Sequence, residues 1–513
     1  MVRQKSNINI ALSLSGGGYR AAAFHLGVLS YLNKVHLLEH VTILSTVSGG
    51  TLTGLSYAHS LVEKKSFEEF YQKFFKFLKE VNLIKLTLNN IGSTAVTKLG
   101  YKNAITTIAD IYNKELFERK LFGQFWENTE IHVKDLIVNS TEFRTGVDFR
   151  FQKSSRTKAK IGNGNVEISV EDAKKIRLAD IAAASSCFPG GFEPLAFPQD
   201  FQWPNNEIPP ELLRKFPNPL PLMDGGIYDN QGIEAAVLAM KGKLKEIKMF
   251  IISDTDRKSS DLYPYPSDKK HSTISLSTMY IIGFCLFLLS ATSFIVLIIS
   301  WVTQYYDGGG WLSGFIRFGF PAIVLGTLAS SMYWLREKVK DELFSRIPSV
   351  KITPWEEIKK LTIDQLLDMV ELRATSVLAL TSSVFMKRIR GLIYGIVFGD
   401  SQYKRKRISN LIYELNGHKP TRDSWLQPSL KIQEVTTIAS NISTSVWFEK
   451  SSDQNTLIAC GQYTICYNVL DFIIRLYGNN SNKYPSWAKK LFVQAKNDWD
   501  KFQQDPYVYV TFP

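Results

Sequence analysis

Thr42-Ile43-Leu44-Ser45-Thr46-Val47-Ser48-Gly49-Gly50-Thr51 is the stretch that decides the fold. An apolar, β-branched run ends at Ser48, two glycines follow, and residues 52–58 have the composition of a helix. A strand, a sharp turn and a helix in this order lift a serine hydroxyl out of the edge of a sheet. Small residues are needed beside such a serine because the turn is strained and the backbones approach closely. Serines beside Gly-Gly are common, so the stretch alone makes Ser48 a candidate nucleophile and no more.

A glycine-rich turn near the amino terminus is a second candidate. Residues 8–14 predict a buried strand, residues 21–32 predict a helix, and between them lies Ser15-Gly16-Gly17-Gly18-Tyr19-Arg20. Backbone N–H groups at such a helix start favour a phosphate or a transient oxyanion. The Lys-Ser/Thr of a P-loop and the GxGxxG register of a dinucleotide site are both missing, which leaves a tight structural turn as the alternative. His25 lies inside the apolar helix pattern and is predicted to pack in the core.

An acidic turn is the third candidate. In Pro221-Leu222-Met223-Asp224-Gly225-Gly226, an acid ends a short apolar run, which places its carboxylate in a cleft or in an ordinary turn. The runs at 131–140 and 247–253 predict further buried strands, 176–186 predicts a helix, and the proline-rich residues 198–220 predict a loop. Strands that alternate with helices indicate an α/β fold, here a three-layer sandwich with a mostly parallel central sheet.

The composition indicates an anionic partner. The 513 residues carry 61 Lys and Arg against 48 Asp and Glu, a net charge of +13, and such a surface attracts lipid headgroups or nucleic acid. Nucleic acid would explain the charge but not the long apolar segments, so we expect no nucleic-acid partner. The four cysteines are scattered without a CxxC pair, which argues against a disulfide scaffold or a zinc site.

Two long apolar segments predict a transmembrane hairpin. No charged residue occurs from Ser272 to Tyr306, and Arg317 is the only charge from Trp311 to Leu335. A bilayer core needs about 20 apolar helical residues, so we predict helices over about 274–302 and about 312–335. The outer flanks are basic and the connecting loop has neither Lys nor Arg, which places both soluble parts on the cytoplasmic side of a multi-pass membrane protein.

The chain is therefore predicted to have three parts. An α/β domain covers 1–260, the transmembrane hairpin covers 272–336, and a mainly helical cytoplasmic region covers 337–513 and packs on the first domain. Two amphipathic stretches allow two interpretations each. Residues 66–78 fit an interfacial lid or a helix that covers the core, and the basic-apolar-basic residues 387–407 fit contact with anionic headgroups or a solvated charged face.

The three candidate motifs together resemble those of the patatin-like phospholipase family. That family combines a glycine-rich oxyanion loop with Arg or Lys, a serine elbow and an Asp-Gly-Gly. The segments 184–189 and 139–146 resemble further family segments, and the likeness covers roughly residues 8–255. The family's elbow is commonly Gly-x-Ser-x-Gly, whereas Thr46 occupies the first position here.

The resemblance implies a Ser-Asp dyad with Ser48 as the nucleophile and Asp224 as the base that accepts its proton directly. A histidine base has no support, since no histidine follows Asp224 until His271. Further roles are implied for the residues around the dyad. These are the oxyanion donors Gly16, Gly17 and Gly18, the elbow and Asp-Gly-Gly glycines Gly49, Gly50, Gly225 and Gly226, and Arg20, which steadies the loop or holds a lipid phosphate.

The function implied is a membrane-anchored serine acyl hydrolase that cleaves fatty acyl esters of phospholipids or lysophospholipids through an acyl-enzyme. We expect no cofactor and no metal, a bilayer as partner through two transmembrane helices, and possible homo-oligomers. Two alternatives are a lipid acyltransferase that uses the same dyad and a non-catalytic membrane scaffold.

Overall fold

The structure is a computed structural model that describes residues 8–91, 103–156, 158–256, 275–303, 310–346, 360–380, 384–419 and 423–511. The chain divides into two compact units, one formed by residues 1–260 with 382–513 and the other by residues 261–381. Of the described residues, 337–346 and 360–380 thus group with the apolar helices, whereas the sequence analysis placed them in the carboxy-terminal region.

One sheet of ten strands forms the centre of the first unit. The strands are β1 (Asn9–Leu14), β2 (Val41–Val47), β3 (Asp135–Glu142), β4 (Val147–Lys153), β5 (Ile161–Gly162), β6 (Glu167–Ile168), β7 (Leu195–Phe197), β8 (Leu220–Asp224), β9 (Ile247–Asp254) and β10 (Arg407–Leu411). Their order is β10-β9-β1-β2-β3-β4-β5-β6, with β8 beside β3 and β7 beside β8. The pairs from β10 to β3 are parallel and the remaining pairs are antiparallel. The fold is mixed α/β with a mostly parallel central sheet, as predicted.

The helices are numbered in chain order. They are α1 (Gly18–Lys34), α2 (Gly49–Val62), α3 (Phe67–Glu80), α4 (Leu83–Ile91), α5 (Ala104–Tyr112), α6 (Gln124–Glu127), α7 (Val170–Ala173), α8 (Leu178–Ser185), α9 (Pro210–Lys215), α10 (Gly226–Asp229), α11 (Ile233–Met240), α12 (Leu276–Val302), α13 (Gly310–Gly314), α14 (Phe320–Arg346), α15 (Ile363–Ala379), α16 (Phe385–Gly399), α17 (Ser401–Lys404), α18 (Leu430–Asn441), α19 (Ser451–Tyr477) and α20 (Ser486–Gln504).

The two faces of the sheet pack into separate hydrophobic clusters. Alternate residues of β1, Ile10 and Leu12, join the large cluster that includes α1, α2 and α19. The intervening Ala11 joins a second cluster with α11 and α16. This alternation follows from the two-residue period of a strand and places helices on both faces of the sheet.

The carboxy-terminal region contributes to both the sheet and the larger core. Strand β10 extends the sheet beside β9, which the sequence did not predict. Helix α19 packs along α1 at close range, because a Cβ on Gly27 would overlap the carbonyl of Ile458 and one on Gly461 would overlap that of Phe24. Helix α19 is long and apolar enough to cross a membrane, but 89% of its apolar 18-residue stretch is buried inside the protein, so it is a core helix.

The structure decides between the two interpretations of residues 66–78 and corrects one predicted loop. Helix α3 begins with a capping box between Ser66 and Glu69, and it buries its aromatic side chains in the core, including Phe70 and Phe74. It therefore covers the core. Within residues 198–220, which the sequence predicted to be a loop, the short helix α9 forms.

The second unit contains two further helices that are long and apolar enough to cross a membrane, over Ser277–Val302 and Gly310–Lys338. In the apolar 18-residue stretches of these two segments, only 6% and 22% of the residues are buried. Helices α12 and α14 contact each other, and Ser290 Oγ donates a hydrogen bond to the Ala322 carbonyl at 2.6 Å. The predicted basic flank at 269–270 and the connecting loop at 304–309 lie outside the described residues.

Candidate active site

Strand β3 brings Ser48 and Asp224 together through its register with two strands that run towards each other. The parallel strand β2 ends with Val47 opposite Asn139. The antiparallel strand β8 ends with Asp224 opposite Ser140, the next residue of β3. The carboxyl ends of β2 and β8 therefore meet at consecutive positions of β3, and the residues at those ends face one another.

Ser48 occupies the turn between β2 and α2 in a strained backbone conformation. Its φ is 50° and its ψ is −119°, values that residues other than glycine rarely adopt. Such strain persists only where the surrounding structure holds it in place. A non-glycine residue at this angle, directly after a buried strand, has the geometry of a serine elbow.

The glycines after Ser48 permit close contact with the neighbouring loop. A Cβ on Gly49 would overlap the carbonyl oxygen of Gly18, and a Cβ on Gly50 would lie 2.5 Å from that of Leu14. Both positions exclude any larger residue. The elbow and the glycine-rich loop are therefore packed backbone to backbone.

The structure explains how Thr46 replaces the usual first glycine of the elbow. Gly54 lies one turn after Gly50 in α2, and a Cβ on Gly54 would lie 2.5 Å from Thr46 Cγ2. The absence of a side chain at Gly54 therefore leaves the space that the Thr46 methyl group fills. The Thr46 hydroxyl donates to the Ile137 carbonyl at 3.2 Å and accepts from Thr51 Oγ1 at 3.1 Å. The threonine thus ties the end of β2 to β3 and to α2.

Ser185 supports the elbow, a role that the sequence motifs did not assign. Its hydroxyl accepts a hydrogen bond from the Ser48 N–H at 3.0 Å and donates one to the Asn139 carbonyl at 2.6 Å. It also lies 2.8 Å from Thr51 Oγ1. The signal for it was its place in the Ala-Ser segment at 184–189.

Asp224 is buried, with 5% of its surface exposed. Burial raises the pKa of its carboxyl from 3.8 to about 6, while a hydrogen bond with the Ser48 side chain and one from the Gly226 N–H lower it in part. The Gly226 N–H donates to Asp224 Oδ1 at 2.7 Å. A carboxylate with this pKa is mostly ionised at neutral pH yet takes up a proton more readily than an exposed aspartate.

The glycine-rich loop presents two amides where the sequence suggested three. The Gly16 N–H donates to the Asn230 carbonyl at 2.9 Å and is already engaged. Gly17 and Gly18 adopt φ values of 137° and 57°, which glycine tolerates best. Among the described residues, no acceptor pairs with the amide of Gly17 or Gly18. The predicted set of oxyanion donors is thereby reduced to these two.

A carboxy-terminal segment holds the start of α1. The Tyr19 N–H donates to the Ser445 carbonyl at 2.7 Å, and Arg20 Nη1 donates to the Ile442 carbonyl at 3.1 Å. Arg20 is buried, with 5% exposed. Of the two roles considered for it, these contacts favour steadying the loop.

His25 is fully buried, and its ring nitrogens lie 3.1 Å from Ser253 Oγ and from the Ser15 carbonyl. Burial lowers its pKa from 6.5 to about 4. This is a packed histidine that positions the loop. Within the described ranges, no group of three or more His, Cys, Asp or Glu side chains is arranged to hold a metal ion.

One family match covers the elbow, the glycine-rich loop and the Asp-Gly-Gly together. Residues 12–237 match the family model of the patatin-like phospholipases. The chain thus carries a patatin-like phospholipase domain, the domain of a family of lipid acyl hydrolases. Ser48, Asp224 and the glycine-rich loop all lie within it, whereas Ile442 and Ser445 lie outside it.

Other comparisons add little to this match. The crystal structure of VipD from Legionella pneumophila is 11% identical, covers 99% of this chain and 92% of its own, and gives a TM-score of 0.24. A likeness at that TM-score supports no conclusion about this chain. A comparison with curated protein sequences gives no match.

Proposed function

We propose that the protein is a membrane-anchored serine acyl hydrolase that cleaves fatty acyl esters of phospholipids or lysophospholipids through a Ser48–Asp224 dyad. The observation that carries the proposal is the register of β3, which brings a strained serine and a buried carboxyl to adjacent positions. The patatin-like phospholipase domain supports the choice of a lipid ester as substrate.

In the first half-reaction Ser48 Oγ attacks the ester carbonyl carbon while its proton passes to Asp224. The N–H groups of Gly17 and Gly18 stabilise the oxyanion of the tetrahedral intermediate, and each such donor contributes roughly 3 kcal/mol in other enzymes. The intermediate collapses, the ester C–O bond breaks, and the leaving alcohol takes the proton from Asp224. The product is an acyl-enzyme on Ser48.

In the second half-reaction water attacks the acyl-enzyme, and Asp224 accepts a proton from that water. The second tetrahedral intermediate then collapses, the bond between Ser48 Oγ and the acyl carbon breaks, the fatty acid leaves, and Asp224 returns the proton to Ser48 Oγ. Asp224 suits both steps because its burial raises its pKa to about 6, closer to neutrality than that of an exposed aspartate.

The membrane anchor is the second part of the proposal. The apolar segments 277–302 and 310–338 have the length and composition to cross a bilayer as two helices, and their side chains are mostly unburied. Basic residues flank the pair on the outer sides, with Lys269, Lys270 and Lys340 among them, so the positive-inside rule favours a patatin-like domain on the cytoplasmic side. Resistance to alkaline extraction and a protease-protection assay test the anchor and its sidedness.

Fatty acid release from labelled phospholipid vesicles tests the chemistry. We expect Ser48→Ala and Asp224→Ala to abolish release. The matched control Ser56→Ala replaces a buried serine within α2 and should retain release. Equal release from the wild type and both dyad variants would refute the proposal. An added alcohol acceptor that yields a new ester instead of free acid would identify an acyltransferase.

A further inference from the structure

Helix α16 has one face that packs on the protein and one that does not. Its inner face buries Arg390, Ile393 and Val397. Its outer face carries large apolar side chains that are exposed by 38–57%. These are Phe385, Leu392 and Ile396.

The inner face fixes the helix firmly to the sheet. Arg390 Nε donates to Asp254 Oδ2 at 2.8 Å, and the Tyr394 hydroxyl donates to the same oxygen at 2.9 Å. Asp254 ends β9 and is fully buried. The exposed apolar face therefore belongs to a well-anchored element, and exposure of this kind marks an interaction site.

The outer face also has three residues without side chains. Gly391, Gly395 and Gly399 follow at four-residue intervals, and a Cβ on any of them would meet nothing within 4 Å. No packed neighbour in the described part of the chain requires glycine at these positions.

The charges around this face are basic except for Asp400, which directly follows the last residue of the helix. Helix α16 contains no Asp or Glu, Lys387 and Arg388 lie in its first turn, and Lys404 and Arg405 follow its carboxyl end. An apolar face with basic residues at both ends complements an anionic bilayer surface, where acyl chains take the apolar side chains and headgroups attract the cations. Two other segments of the same chain are long and apolar enough to cross a bilayer, which favours a bilayer as the partner of this face.

Helix α16 also adjoins the catalytic site. Met386 Cε lies 3.3 Å from the position that a Cβ on Gly226 would take, and the Gly226 N–H binds Asp224. Met386 lies on the same face of α16 as Arg390 and Ile393, so the Asp-Gly-Gly turn contacts the inner face. A surface that rests on the outer face would therefore lie about one helix diameter, roughly 10 Å, from that turn.

We propose that the outer face of α16 docks on the surface of an anionic phospholipid bilayer and holds the Ser48–Asp224 site beside it. This docking gives the proposed phospholipid hydrolase access to its substrate, and in that respect it rests on the proposed function. It is distinct from the transmembrane anchor because it involves a helix of the first unit that lies in the plane of the interface.

Quenching by brominated lipids tests the docking without reference to activity. The full chain with Cys285→Ser and Ser48→Ala receives a fluorescent label at Leu392→Cys and is reconstituted into vesicles that contain phosphatidylserine and acyl-brominated phosphatidylcholine. The matched control carries the label at Leu430→Cys, an exposed leucine of α18. We expect strong quenching at position 392 and little at position 430. Omission of phosphatidylserine should reduce the equilibrium constant for docking by about fivefold for each basic residue that faces the headgroups.

Equal quenching at positions 392 and 430 would overturn the proposal. The variant Gly395→Leu distinguishes a bilayer from a second helix as the partner of this face. A closely packed second helix would require a small residue at position 395, whereas a bilayer would accept leucine. Retained quenching at position 392 in this variant supports the bilayer. Loss of quenching, or a disulfide between two Leu392→Cys chains, would assign the face to a protein partner and overturn the proposal.

An activity measurement then links docking to hydrolysis. In the double variant Leu392→Glu with Ile396→Glu, the rate of phospholipid hydrolysis in vesicles should fall by about tenfold or more, because charged side chains replace two apolar contacts with the bilayer. Its hydrolysis of a soluble short-chain ester should match the wild type. Absence of any hydrolysis by the wild type would refute the proposed function and leave the quenching result to decide the docking.

Discussion

Replacement of Asp224 by asparagine should abolish activity and, above about pH 6, stabilise the protein. The asparagine side chain has nearly the shape of the carboxyl, and its oxygen can still accept from the Gly226 N–H. What it lacks is the ability to ionise or to take a proton from Ser48. The substitution therefore removes the general base and a buried charge in one step.

The size of the stabilisation follows from the pKa of Asp224. Burial raises this pKa from 3.8 to about 6, so folding favours the protonated form by about 3 kcal/mol. The wild type loses this contribution as the pH rises from about 4 through about 6, because the folded carboxyl must then ionise without water. An asparagine never ionises. Its advantage over the wild type should grow through that window and reach about 3 kcal/mol, or roughly 3–4 °C in Tm for a unit of this size.

Thermal unfolding of the detergent-purified full chain at about pH 4 and about pH 8 measures the effect. Ser48→Ala is the matched control, because it is expected to be equally inactive but keeps the buried carboxyl. It also removes the hydrogen bond that lowers the pKa of Asp224. Its stability should therefore fall between the two pH values at least as much as that of the wild type.

A Tm of Asp224→Asn that stays equal to the wild-type Tm at both pH values would show that the carboxyl is not desolvated. An equal gain in Tm at about pH 8 in Ser48→Ala and in Asp224→Asn would show that inactivity alone changes stability. Residual hydrolysis by Asp224→Asn close to the wild-type rate would remove Asp224 from the base role.

Three further outcomes are expected. The kcat/KM of the wild type on a soluble ester should fall about tenfold for each pH unit below about 6, because protonated Asp224 cannot accept the Ser48 proton; a flat pH profile would contradict this. Ser185→Ala should lower kcat by about tenfold or more while Tm falls by a few degrees at most, since the Ser48 N–H loses its acceptor, whereas Ser186→Ala should retain activity. Gly54→Ala should cost about 1–3 kcal/mol of stability through overlap with the Thr46 methyl group, and addition of Thr46→Ser should restore most of it; a failure of that rescue in urea unfolding would refute the packing argument.

Much of the site was visible in the sequence because each motif is local. The serine elbow, the glycine-rich loop and the Asp-Gly-Gly each consist of a strand end and a few small residues, and the required backbone angles select glycine there. The order of strands and helices predicted the mixed α/β sheet for the same reason. What these patterns cannot give is register, so the meeting of β2 and β8 on β3 appeared only in the structure.

Other features depend on contacts between residues far apart in the chain. Ser185 reaches the elbow from α8, and its role follows from three hydrogen bonds that no local pattern encodes. The engagement of the Gly16 N–H by Asn230 is equally non-local. Strand β10 was missed because it begins at Arg407, the end of the basic-apolar-basic stretch that was interpreted as contact with anionic headgroups or as a solvated charged face.

The segment that matches the patatin-like phospholipases is not a self-contained structural unit. The match ends at residue 237, yet the sheet continues through β9 to β10, and α19 packs in the same core as α1. The start of α1, where Gly17 and Gly18 present their amides, is held by carbonyls of Ile442 and Ser445. Because oxyanion donors act only when they are fixed in place before the reaction, the carboxy-terminal region belongs to the proposed catalytic apparatus. The geometry of the glycine-rich loop is therefore a property of the chain on both sides of residues 261–381.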